Sequence, residues 1–174
     1  MHPHPAILRV GKLKGALPVL ALLATAAGPA APDLAGAHAF LAGVYAHYPT
    51  SEKSTFELFG KDERRVFDAS LASLVDEDTR LAGGEVGALD GDPLCDCQDD
   101  TGDSFTVGVA RADGLNGAVV EVVRRDHNVK PAATETIRIV LRRAGGLWRI
   151  HDVGSPDMPS LRAYLTKANK ERRH

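Results

Sequence analysis

Two cysteines separated by a single residue, Cys95 and Cys97, sit in the stretch Asp90-Gly-Asp92-Pro93-Leu-Cys95-Asp-Cys97-Gln98-Asp99. Six aspartates fall between residues 90 and 103, the densest run of reactive side chains in the chain. Three chemistries are open to the cysteines: a local disulfide, a pair of reduced buried thiols, or a soft-metal or redox site. Along an extended strand, Cβ atoms at i and i+2 are about 6–7 Å apart. A disulfide needs them about 3.5–4.5 Å apart. A Cys95–Cys97 bridge therefore requires a tight turn. Pro93 fixes its own φ and biases Asp92 toward an extended shape, so the chain is bent before the cysteines arrive. Zinc sites want four ligands at more regular Cys/His spacing, and the aspartates do not follow the twelve-residue calcium loop with its closing glutamate. Aspartates also cap turns on their own backbone. The expectation is a ligand-binding or structural loop made by Asp90, Asp92, Pro93, Cys95, Cys97, Gln98 and Asp99, with no metal and no cofactor.

A second candidate is Asp152, in Leu-Trp148-Arg-Ile150-His151-Asp152-Val. Read as a strand, this puts Trp148, Ile150 and Asp152 on one face, and Arg149, His151 and Val153 on the other. A carboxylate at the edge of an apolar cavity has its pKa raised and can serve as a general base. The structural alternative is that Asp152 ends the strand and accepts from backbone amides near Ser155. No Ser-His-Asp or Cys-His set can be built, because His127 and His151 have no spacing that ties them to Cys95 or to a serine. Neither Gly83-Gly84 nor Gly145-Gly146 has the context of a phosphate loop.

Helices and then strands must position these groups. Leu41, Val44, Tyr45 and Tyr48 recur at helical spacing and predict a helix over 34–48. The segment 50–65 reads as a loop. A second helix is expected over 67–80, with Asp68 as N-cap and Gly83-Gly84 as its stop. After the long loop 83–103 the period changes to two. Strands are expected over 105–110, 118–123, 134–143 and 147–153, with Asp113-Gly114 and Asn116-Gly117 in the first connection. A last helix over 158–169 would be capped by Asp157. The predicted core is Leu41, Val44, Tyr45, Leu71, Leu74, Val107, Val109, Val120, Val122, Ile139, Leu141, Trp148 and Ile150. Helices followed by a four-stranded antiparallel meander give an α+β fold.

The N-terminus reads as an address. Arg9, Lys12 and Lys14 precede a twelve-residue apolar run, 16–27. That is too short to cross a bilayer, which takes about 20 residues, but it fits a signal-peptide core. Small-residue cleavage patterns occur near residues 30 and 37, so residues 1–37 are expected to be signal peptide and linker and 38–174 a single domain. Removing 1–37 takes away three cations and one acid, leaving 18 basic against 22 acidic residues, net −4. That charge excludes a generally basic nucleic-acid binder. No lipid-bearing cysteine follows the apolar run and no second segment is long enough to span a membrane. A periplasmic or secreted protein is expected, with an unknown small molecule or envelope protein as partner.

Three segments together carry a family likeness. They are Phe40-Leu41-x-x-Val44-Tyr45-x-x-Tyr48, the run from Gly84 through Asp92-Pro93-Leu94-Cys95-Asp96-Cys97-Gln98-Asp99, and Trp148-Arg149-Ile150-His151-Asp152 with Ser155-Pro156-Asp157. They resemble the exported bacterial family of unknown function 3828 (DUF3828). The resemblance implies a nuclear-transport-factor-2-like, or cystatin-like, fold: a curved four-stranded sheet wrapped on helices, forming a cone with a cavity. It implies no established reaction. Unlike some members of that family, this chain has no lipid-bearing cysteine. The function expected is a non-catalytic envelope accessory or binding module. The alternatives are a cone-fold enzyme of cyclase, isomerase or hydrolase type using Asp152 as base, and a metal or redox site at Cys95 and Cys97.

Overall fold

The computed structural model describes residues 32–48, 55–97 and 102–173. The expected signal segment, and Gln98 and Asp99 of the candidate loop, lie outside the described residues.

Helix α1 spans Leu34–Tyr45, with the Asp33 carboxylate accepting from the Gly36 amide at 2.8 Å as its cap. It buries Ala37, Leu41, Val44 and Tyr45 on one stripe. Ala37 is fully enclosed within α1, so a cut near residue 37 would remove the cap and first turn of this helix. A short helix, α2, Glu63–Val66, lies in the segment expected to be loop. Phe67 then leaves helical geometry to bridge Ile150, so it is not the start of the next helix. Helix α3, Ala69–Ala82, begins two residues later than the periodicity suggests. Asp68 caps it by accepting from Ser70 and Leu71, and Gly83 stops it at φ +62°.

Five strands follow: β1 Ser104–Val107, β2 Arg111–Ala112, β3 Gly117–Asp126, β4 Ala133–Ala144 and β5 Leu147–Gly154. They form one antiparallel sheet in the order β1-β3-β4-β5, with β2 also paired to β3. The fold is α+β, with an open antiparallel sheet and helices.

The single strand expected over 105–110 is thus two. Val107 pairs with Val122 but Arg111 with Val119, so three residues face two and one is extra. This is a β-bulge, and it reverses the side-chain alternation beyond it. Val109, expected in the core, is 79% exposed, and Ala110 is buried in its stead. Gly108 permits the close approach: a Cβ there would lie 2.7 Å from the Glu121 carbonyl oxygen.

A second irregularity lies in β5. Val140 pairs with Asp152 but Leu141 with Ile150, leaving His151 as the extra residue. Trp148, Ile150 and Val153 are buried together, and Asp152 does not share the Trp148 face as simple alternation requires. Helix α4, Leu161–Arg172, is capped by Ser160 and not Asp157, which is exposed. Tyr164 is 43% exposed where the expected stripe put it inside, and Leu74 is only half-buried. Leu41 and Leu71 from the helices, Val120, Ile139 and Ile150 from the sheet, and Leu165 from α4 are fully buried in one cluster. Among the described residues, no helix is long and apolar enough to cross a membrane.

Candidate functional site

The turn predicted around the cysteines is present and bridged. Cys95 and Cys97 form a disulfide with their Cα atoms 5.1 Å apart. Asp92 and Cys97 close the loop by exchanging backbone hydrogen bonds, the Asp92 amide donating at 2.8 Å and the Cys97 amide at 3.3 Å. Between them the chain passes through a left-handed residue, Asp96 at φ +51°. Aspartate is one of the few residues besides glycine that visits this region readily. The bridged form leaves neither sulfur as a thiolate to ligate a metal.

The loop is fastened to the fold by contacts far apart in sequence. The Tyr45 hydroxyl donates to the Leu94 carbonyl at 2.7 Å, and the Tyr48 hydroxyl donates to the Asp92 carboxylate. From the sheet, Arg124 donates to the Asp96 carbonyl at 2.9 Å while pairing with Asp103 at 2.5 Å. Leu94 is completely enclosed in the core cluster. Burial pushes the Asp92 carboxyl above the ordinary aspartate range, against hydrogen bonds from Tyr48 and the amides of Leu94 and Cys95 that work the other way. Burial, and then the nearby Asp92, push the Tyr48 hydroxyl up as well.

The segment that precedes the loop is fixed by an acid of α3. Asp78 on α3 is buried and accepts from the amides of Ala88 at 2.9 Å and Leu89 at 3.0 Å, with Arg172 of α4 at 3.3 Å. A Cβ at Gly87 would fall 2.2 Å from the Asp78 carboxylate, so glycine is required at this approach. Tyr164 completes the arrangement, its hydroxyl donating to the Ala88 carbonyl at 2.8 Å.

Between this loop and α4 lies a cleft of about 760 Å³. Leu89, Pro93, Met158, Pro159, Ala163 and Tyr164 supply its apolar walls. Asp90, Asp92 and Cys97 also line it, so with Pro93 four of the residues marked in the sequence come together here. Its volume is within the range of small-molecule sites, and apolar walls with a few polar groups are their usual lining. A second hollow of about 510 Å³ lies beside α1 and α2, where the rings of His47 and Phe56 stack 4.7 Å apart. Its cations are already engaged: Lys61 with Glu57 at 2.9 Å, Arg65 with Asp62 at 3.3 Å, and Arg149 with the carbonyls of Arg64 and Trp148.

Asp152 lines neither space. One carboxylate oxygen accepts from the amides of Val153 at 2.9 Å and Arg162 at 3.0 Å; the other accepts from the Ser160 hydroxyl at 2.7 Å. The Ser160 oxygen in turn accepts from the Ala163 amide at 3.1 Å. Asp152 thus ties the end of β5 to the first turn of α4, with both oxygens occupied. Next to it His151, the bulged residue, meets Asp68 at 2.5 Å. Arg162 donates to the Ser70 hydroxyl at 2.9 Å and lies 3.8 Å from Asp68. Burial works against the Asp68 charge, but the hydrogen bonds from His151, Leu71 and Ser70 outweigh it and hold the carboxyl below the ordinary range.

The periodicity of the sequence put Tyr45 and Tyr48 on one apolar stripe and gave no sign that their hydroxyls fasten the loop. Asp78 and Tyr164 were missed as well, since each acts on a segment far from its own helix turn. Among the described residues, no group of three or more His, Cys, Asp or Glu side chains is placed to hold a metal. No family model, no curated protein and no solved structure matches the chain.

Proposed function

We propose that this chain is a binding module of the bacterial envelope, taking a ligand with an apolar body into the cleft between the disulfide loop and α4, and performing no chemistry on it. The preformed cleft of about 760 Å³ carries this reading. Its loop wall is held by the Tyr45, Tyr48 and Arg124 hydrogen bonds and by the disulfide. Little ordering is left for a ligand to bring about, which favours affinity. The Asp152 enzyme reading is disfavoured because both carboxylate oxygens are taken by backbone and hydroxyl donors and Asp152 does not line the cleft. Export is supported by the cationic and apolar segments at the N-terminus, and by a disulfide of the kind that persists in oxidising compartments. Kinship with the exported family 3828, and a sheet curved into a cone, rest on the sequence segments quoted above.

The test uses Nile red, a neutral apolar dye that brightens on leaving water. The expected result is saturable brightening with the parent protein. Ala163→Trp, which places a bulky ring in the cleft from an exposed position on α4, should abolish it while leaving the melting temperature unchanged. No brightening with the parent, or undiminished brightening in the variant, overturns the proposal.

A further inference from the structure

We infer that the cleft selects ligands carrying a positive charge: an apolar body bearing an ammonium or guanidinium group. The inference rests on the binding reading above and adds the chemical class of the ligand.

The charges around the cleft are lopsided. Asp96 lines it from the disulfide loop and Asp157 from the β5–α4 connection, so acidic residues border it on two separate segments. Asp90 and Asp92 also border the space. Against them stands Lys167, which lies 4.0 Å from Glu171 one helical turn along α4.

Three other acids of this region are paired. Asp78 has Arg172, Asp103 has Arg124, and Glu77 is held by both Arg80 and Arg173. Among the described residues, the carboxylates of Asp96 and Asp157 have no ion-pair partner and no hydrogen-bond donor. Arg124 donates to the Asp96 carbonyl and not to its carboxylate. Apolar walls between two such carboxylates lower the local dielectric and strengthen their field in the space between them. An ammonium entering there gains a counter-charge on either side while its apolar body covers Leu89, Met158 and Tyr164. A carboxylate or sulfonate ligand of the same shape is repelled by both acids.

Three ligands of one shape decide the matter: 2-(2-naphthyl)ethylammonium, its neutral N-acetyl derivative and 2-naphthylacetate, each titrated against bound Nile red. The ammonium should displace the dye best and the carboxylate worst. The advantage of ammonium over the neutral compound should be roughly fivefold per carboxylate at low salt and shrink as salt is added. Asp96→Asn/Asp157→Asn should abolish the ranking, with the neutral compound and the ammonium then displacing the dye equally well. Asparagine suits both sites, since it too accepts the left-handed backbone that residue 96 adopts. Nile red binding with equal displacement by all three compounds overturns the charge inference alone, as does a ranking that survives in the double variant. Failure of Nile red to bind overturns the cleft reading, and this inference with it.

Discussion

Asp68 and Asp92 are both sheltered carboxylates that accept several hydrogen bonds from the nearby chain, yet their acidities move in opposite directions. Asp68 stands at the N-terminus of α3, where its donors include two helix amides, and His151 and Arg162 lie close by. Asp92 receives only neutral donors: the Tyr48 hydroxyl and the amides of Leu94 and Cys95. At the first carboxylate the hydrogen bonds from His151, Leu71 and Ser70 outweigh the cost of burial. Burial dominates at the second. The presence of hydrogen bonds is therefore a poor guide to the acidity of a sheltered carboxylate; what matters is whether they outweigh the cost of burial. The knot between α3, α4 and β5 is electrostatic, and the disulfide loop is held chiefly by burial.

The sharpest way to break this contrast is to weaken the loop's apolar anchor. Leu94→Ala should cost about 2–5 kcal/mol, the range for a fully buried leucine, because Leu94 is completely enclosed. Urea unfolding measures it, and a loss below about 1 kcal/mol would show that covalent and polar ties hold the loop instead.

Next in size is removal of each charge. Asp68→Asn keeps an N-cap but loses the pairing with His151, and should lower stability at neutral pH by about 1–2 kcal/mol. Asp92→Asn should be neutral or stabilising, since it relieves a buried charge. The pH dependence carries the same signs. The Asp68 pKa is depressed on folding, so its contribution is present above the unfolded value of about 3.9 and is lost as pH falls through the lower folded value. The Asp92 pKa is raised, so its contribution is present below about 3.9 and is lost as pH rises through the higher folded value. Carboxyl-carbon NMR titration should show the two midpoints on opposite sides of that value. Midpoints on the same side would erase the distinction.

The smallest effect belongs to the bridge. The loop closed by Cys95 and Cys97 is so short that Cys95→Ser/Cys97→Ser should cost about 1.5 kcal/mol or less. Loss of folded protein in that variant would make the disulfide the staple of the loop and remove burial from first place.

Much of this architecture was legible because it is local. The Leu41-Val44-Tyr45 stripe, the Asp68 cap and the glycines after α3 act within one or two helical turns. The turn at Asp92-Pro93 likewise follows from the backbone preferences of adjacent residues. Strand registers were legible only up to the two bulges. A period of two carries no mark of an extra residue, so Val109 was placed inside and Asp152 on the Trp148 face. The start of α4 was misread because Asp157 and Ser160 both suit an N-cap. Asp152, reaching across from β5, accepts from Ser160 and from the Arg162 amide, and Ser160 becomes the cap of a helix that begins at Leu161. The cleft itself was not legible. The Asp90–Cys97 wall was marked, but that α4 would face it depends on Tyr164 reaching Ala88, which no local pattern encodes.

The hydrogen bonds that shape the cleft have a consequence for the order in which the molecule assembles. Tyr45 reaches Leu94 across 49 positions, Tyr48 reaches Asp92 across 44, and Tyr164 reaches Ala88 across 76. Closing loops of that length costs chain entropy before any contact compensates for it. Both walls of the cleft are therefore expected to form after α1, the sheet and α4 have docked, late in folding. A ligand that fits the cleft then binds the native chain and not its precursors. Its free energy adds to the stability of the folded state as RT ln(1 + [L]/Kd), so a rise in melting temperature with ligand concentration reports occupancy directly.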